Sequence, residues 1–139
     1  MLGRVSGFRG SEGEITVKVI GADAPATGGH GTFQSPIHLC DSELDDFACD
    51  SFPCRRSQKQ GDTLLLLAGT HVCPFRELTS GITVQGMEGA IIRGTLDLFI
   101  TDPAVVVRDV AFSGPGRAIT MQLGKLVVEN VEDTSGGIF

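Results

Sequence analysis

The chain has no Trp, no Tyr and a single Asn, at position 130, so the flat aromatic faces on which sugar rings stack are limited to eight Phe. That scarcity counts against a polysaccharide substrate. It also lacks an excess of positive charge: 11 basic residues face 17 acidic ones, for a formal net charge of -6. This removes the electrostatic footprint on which binding to nucleic acid or to an anionic membrane depends. Long hydrophobic runs are missing too. The longest purely apolar stretch, residues 64–68, is far short of the roughly 20 residues that span a bilayer, so no membrane insertion is expected. The opening MLGRVSGFRGSEGEI carries basic residues without the apolar core of a secretory signal. What remains is ample for one core: 139 residues, 41% of them apolar, with 19 Gly and 6 Pro to turn the chain.

Three regions follow from local pattern. Residues 1–13 read as a flexible lead, and their Gly7-x-x-Gly10-x-x-Gly13 precedes a strand instead of following one, the wrong order for a phosphate-binding turn. Residues 14–60 read as a cap. Within it, residues 14–21 alternate as a strand, with Ile15, Val17 and Val19 on one face and Thr16, Lys18 and Ile20 on the other. Residues 22–36 have the Gly, Pro, Ala and Thr content of a loop. In DSELDDF, Asp41 or Ser42 could cap a short helix whose Leu44, Phe47 and Ala48 share a face. A polar loop with Pro53 closes the region.

From residue 61 to 139 the chain consists of short β-branched runs broken by Gly, Asp-Pro or Gly-Pro-Gly, with no segment of helical period between them. Three runs are equivalent: ITVQG from Ile82, VVVRD from Val105 and LVVEN from Leu126, beginning 23 and 21 residues apart. The register places Ile82/Val84, Val105/Val107 and Leu126/Val128 inward. Its fourth position holds Gln85, Arg108 and Glu129, its fifth the turn formers Gly86, Asp109 and Asn130, and its sixth the apolar Met87, Val110 and Val131. A small antiparallel sandwich also has many short strands, but equivalence of whole coils, turn residue included, favours a parallel β-solenoid. About four coils are expected, with the strand and short helix of residues 14–60 closing the first.

These residues resemble right-handed parallel β-helix proteins of the pectin-lyase-like superfamily. The likeness runs from ITVKVIGADAPATGGHGTFQSPIHL through GDTLLLLAGTHV to GITVQGMEGAIIRG, VVVRDVAFSG and KLVVENVEDTSGG. It implies a fold more than an activity, because such coils serve lyases, hydrolases, phage adhesins and non-catalytic surface repeats. Lyases of that family use an outward Arg as base and clustered Asp carboxylates for Ca²⁺. Arg108, Asp109 and Glu129 are the nearest approach to such a set, and only this lyase alternative would involve a cofactor, Ca²⁺. The plainer reading of the same three residues is a surface charge ladder, with roughly 0.2 to 1 kcal/mol at stake.

Other candidates are weaker. Asp97 and Asp102 flank one strand as a glycosidase pair might, yet both adjoin turns. Cys40, Cys49, Cys54 and Cys73, with His38 and His71, include zinc-ligand types, but no C-x2-C pair exists. The even cysteine set fits two disulfides in an oxidising compartment, in any of three connectivities, or four reduced thiols in a cytosol, which the missing signal favours. Thr83, Val106 and Val127 form an outward, partly apolar strip that a loop could cover.

The expectation is therefore a non-catalytic β-helical scaffold or recognition domain of an extracellular or cell-surface protein, meeting a glycan or a protein surface. The alternative is the N-terminal part of a polysaccharide lyase or glycoside hydrolase. Because Ile138 and Phe139 read as the start of another strand, further coils or end-to-end self-association are expected at the C-terminal edge.

Overall fold

Strand pairing among the described residues is parallel throughout. The computed structural model describes residues 17–44, 61–78 and 81–133. Its elements are β1 (Val17–Ile20), a 3-10 turn (Ser42–Leu44), β2 (Thr63–Leu66), β3 (Gly69–Glu77), β4 (Thr83–Gly86), β5 (Ala90–Ser113) and β6 (Ile119–Asp133). One sheet runs β1-β2-β4-β5-β3, and β6 pairs with β5. The two longest strands turn corners: β5 pairs with β3 through residues 90–97 and with β4 through residues 106–108. The result is an all-β solenoid of about three turns, in rough agreement with the four coils the repeat suggested.

The repeat register is the observed one. Val84 pairs with Val107 and Val107 with Val128, while Gln85 lies beside Arg108 and Arg108 beside Glu129. Inward side chains stack into columns that make the core: Leu64, Ile82, Val84, Val105 and Val107 are buried, joined from the other walls by Ile92, Leu96, Leu98, Phe112 and Ile119. Two members of the expected ladder differ. Leu126 is half-buried and Val128 is 41% exposed, because among the described residues nothing stacks on the outer side of β6. Met87, expected to align with Val110, is exposed because it opens a turn closed by Ala90 N donating to Met87 O, and Ala90 is the residue that turns inward.

The N-terminal strand shows a second difference. Ile20, assigned to the polar face by alternation, is fully buried, and Val17 is 50% exposed. Register explains it: Ile20 pairs with Leu66 and Lys18 with Leu64, so the parity of the buried coil below decides which residues point in. Val19 is buried as well, because the following loop returns over β1. Val19 N donates to Gly31 O at 2.9 Å and Ile37 N to Val19 O at 2.9 Å. Ile37, Leu39 and Leu44 extend the core over this end. The expected short helix is a 3-10 turn ending at Leu44, and Phe47 and Ala48 lie outside the described residues.

Two bonds tie this segment to β3. Cys40 and Cys73 form a disulfide with a Cα–Cα distance of 5.2 Å, and Arg76 Nη1 donates to Asp41 O at 3.0 Å. Cys49 and Cys54 lie outside the described residues. Where β3 passes Pro74 the ladder slips between Cys73 and Phe75, since proline offers no N–H. Gly94 fits opposite the slip because a Cβ there would collide with the Cys73 carbonyl.

Equal chemistry at unequal depth gives a test. Val107→Ala should cost about 2 kcal/mol, as expected for two lost methyl groups plus a residual cavity, whereas Val128→Ala should cost under about 1 kcal/mol. Urea unfolding of both variants measures the difference.

Candidate functional site

Each coil leaves its first wall through the fifth register position, where the chain must bend sharply. Asp109 and Asn130 make the bend with φ of 59° and 52°, the only positive values at non-glycine positions among the described residues. Asp and Asn tolerate this left-handed conformation better than other L-residues, and the chain's single Asn is spent here. Gly86 occupies the same corner for another reason: a Cβ would meet the Asp109 carbonyl oxygen.

The side chains at this corner bond to one another across coils. Gln85 Nε2 donates to Asp109 Oδ2 at 2.6 Å and Asn130 Nδ2 to Asp109 Oδ1 at 2.9 Å. Asp109 is thus bracketed by amides from the coils on either side, and those bonds, the one from Asn130 foremost, hold its carboxyl below the usual carboxylate range. Alongside, Arg108 Nε stands 3.7 Å from Glu129 Oε1, an ion-pair distance too long for a hydrogen bond. The column expected from the repeat is thus a spatial one. The structure sets Arg108 beside Glu129 at ion-pair distance and engages Asp109 with Gln85 and Asn130, while Arg108 Nε keeps no hydrogen-bond partner.

That arrangement does not fit a Ca²⁺ cage. Both oxygens of Asp109 are engaged by amide donors, and no group of three acidic, His or Cys side chains among the described residues is placed to hold a metal. Nor does it fit acid catalysis, for which a carboxyl needs a raised pKa. Asp97 is also engaged, accepting from Thr120 Oγ1 at 2.5 Å, and the Asp102 side chain lies outside the described residues. Cys40 and Cys73, being joined, offer no thiolate to zinc or to a substrate.

Beside the ladder runs an open groove of about 550 Å³, within the range of small-ligand sites. Ala90, Ile91, Val110 and Ala111 supply its apolar part, and Glu88, Asp109, Asn130 and Glu132 its polar part. Glu88 and Glu132 escaped the sequence reading. They stand two residues after Gly86 and Asn130, in the register position that Ala111 fills after Asp109, so carrying the alignment one step further would have found them. The groove can accept a ligand that donates hydrogen bonds or carries positive charge.

His71 is a buried polar group away from this groove. It is 1% exposed, its Nε2 donates to Leu67 O at 2.7 Å, and its Nδ1 has no partner. Burial lowers its pKa below the ordinary value of 6.5. The Leu67 carbonyl opposes that shift, while the neighbouring His38 adds to it.

Two titrations follow. Asn130→Gly keeps the positive φ and deletes one amide donor, so the Asp109 carboxyl followed by NMR should titrate at higher pH than in the parent chain. In the parent, the contribution of Asp109 to stability is present above about 3.8 and is lost as pH falls through its depressed folded value. His71, also depressed, stabilises the fold fully above about 6.5 and progressively less as pH falls from 6.5 toward its folded value, where the unfolded chain binds the extra proton. Thermal melts across that interval should show the loss, and His71→Gln should flatten it.

Comparison with protein-family models, with curated proteins and with solved structures found no match. The parallel solenoid accordingly rests on its own pairing and register.

Proposed function

We propose that the chain is a non-catalytic β-solenoid scaffold or recognition domain of an extracellular or cell-surface protein, and that the corner groove is its binding surface. The observation that carries this reading is the fate of the outward polar column. Gln85, Asp109 and Asn130 are hydrogen-bonded to one another and Arg108 faces Glu129, so the groups best placed for chemistry support the wall of the groove. A carboxyl held below its usual range neither donates a proton near neutral pH nor accepts one readily, which suits binding better than acid–base work. The Cys40–Cys73 disulfide supports an oxidising compartment. Glu88, Asp109 and Glu132 give the groove an acidic lining, so a glycan hydroxyl array or a basic protein segment is the fitting ligand class.

The alternative, a portion of a lyase or hydrolase of the pectin-lyase-like superfamily, draws on the resemblance of the coils and on the adjacency of Arg108, Asp109 and Glu129. A polyuronate lyase assay with and without Ca²⁺ separates the two. No turnover is expected in either condition, and glycan or peptide ligands should bind to the parent chain but not to Ala111→Arg, whose long side chain fills the groove. Calcium-dependent turnover that disappears in Arg108→Ala would replace the scaffold reading with the lyase.

A further inference from the structure

The two ends of the solenoid are treated differently by the chain. At the first end, β1 is overlaid by its own loop through Val19, Gly31 and Ile37, and Ile37 forms a parallel bridge with Ile20. At the other end, β6 pairs with β5 and with no other strand among the described residues, and Leu123, Val127 and Val128 are 64%, 41% and 41% exposed. An unpaired edge bearing apolar side chains is a template for another strand.

The flat segment of this edge is self-complementary. It runs between two positive-φ corners, Gly124 (128°) and Asn130 (52°), and Val127 is its midpoint. Its sequence, Lys-Leu-Val-Val-Glu over residues 125–129, has a cation at one end and an anion at the other. Val106 N donates to Ile82 O at 3.0 Å, so Val106 turns its backbone groups toward β4. In a parallel ladder with Val106 beside Val127, it is then Val127 that bonds to β5, and the N–H and C=O of Leu126 and Val128 face outward.

The geometry points to a two-fold homodimer in which β6 of one chain pairs antiparallel with β6 of a second copy about Val127. Leu126 exchanges both backbone hydrogen bonds with Val128 of the second copy, and the apolar columns of the two cores meet. Val127 faces its own symmetry mate, the corners Gly124 and Asn130 superpose in reverse order, and Lys125 stands opposite Glu129 twice. Lys125 and Glu129 also contact their own chains, Glu129 through Arg108, but an ammonium with three donors and a carboxylate with two oxygens can serve both. Because the first end is covered by its own loop, the pairing closes at two copies and does not propagate into a filament.

Sedimentation of the full chain tests this with four variants. The parent is expected to be a dimer. Val127→Lys, which sets two ammonium groups against each other on the axis, should give monomers, while Val72→Lys, at another exposed strand position, should leave the dimer unchanged. Lys125→Glu and Glu129→Lys should each weaken self-association by roughly tenfold or more, since two attractions become two repulsions. Mixed together, these two variants should recover a heterodimer, because every facing pair is then of opposite sign. A monomeric parent, an assembly that survives Val127→Lys, or a mixture that fails to pair would overturn the proposal.

Discussion

Every coil of this molecule can bury its apolar side chains only against the coil before and after it, and that requirement of stacking in register governs the rest. Val84, Val107 and Val128 are chemically identical and occupy one column, yet the first two are buried and the third is 41% exposed. Position in the stack, not residue type, sets burial. The same rule decides the parity of β1, whose Ile20 turns inward because Leu66 beneath it does. Registers of parallel strands are fixed in this way because a slip of one residue would carry each inward set to the surface.

Register also fixes where the chain must bend, and the bends are where polar residues find structural work. A corner between two walls needs an unusual backbone conformation, and Gly86, Asp109 and Asn130 meet that need by different means. Once Asp109 and Asn130 are stacked, their side chains are within hydrogen-bonding distance as a consequence of the repeat. The ladder is thus a product of the same periodicity that builds the core. A second device appears where register is interrupted: between Thr101 and Val105 the ladder shifts, and the buried Thr101 hydroxyl bonds to both N and O of Lys125 at 3.0 and 2.9 Å.

How much of this could be read from the sequence depends on whether the information is periodic. The three aligned runs starting at Ile82, Val105 and Leu126 carry parity, register and corner residues together, which is why the ladder through Val84, Val107 and Val128 was legible to the residue. Residues 17–44 belong to no repeat. There alternation was the available signal, and it assigned Ile20 and Val17 to the wrong faces because the deciding contact, with Leu66, lies far along the chain. The helix expected from DSELDDF is, in its described part, a 3-10 turn that places Leu44 in the core. The partner of Cys73 was open for a related reason: Cys40, Cys49 and Cys54 belong to no repeat in the sequence, and only the fold sets Cys40 beside Cys73.

The corner ladder gives the groove a wall in which the Asp109 carboxylate is already engaged. A recognition surface benefits when the groups that line it are held in place before the ligand arrives, since less ordering is then required on binding. Asp109 achieves this by accepting from Gln85 and Asn130, and the cost is its availability: a carboxylate with both oxygens engaged is a poor proton carrier and a poor metal ligand. Glu88 and Glu132, two positions further along, stand outside that ladder and line the same groove. The division of labour is therefore spatial. Asp109 and Asn130 make the corner, Glu88, Ala111 and Glu132 line the groove beside it, and Ala111, paired with Glu132, leaves space that a longer side chain would fill.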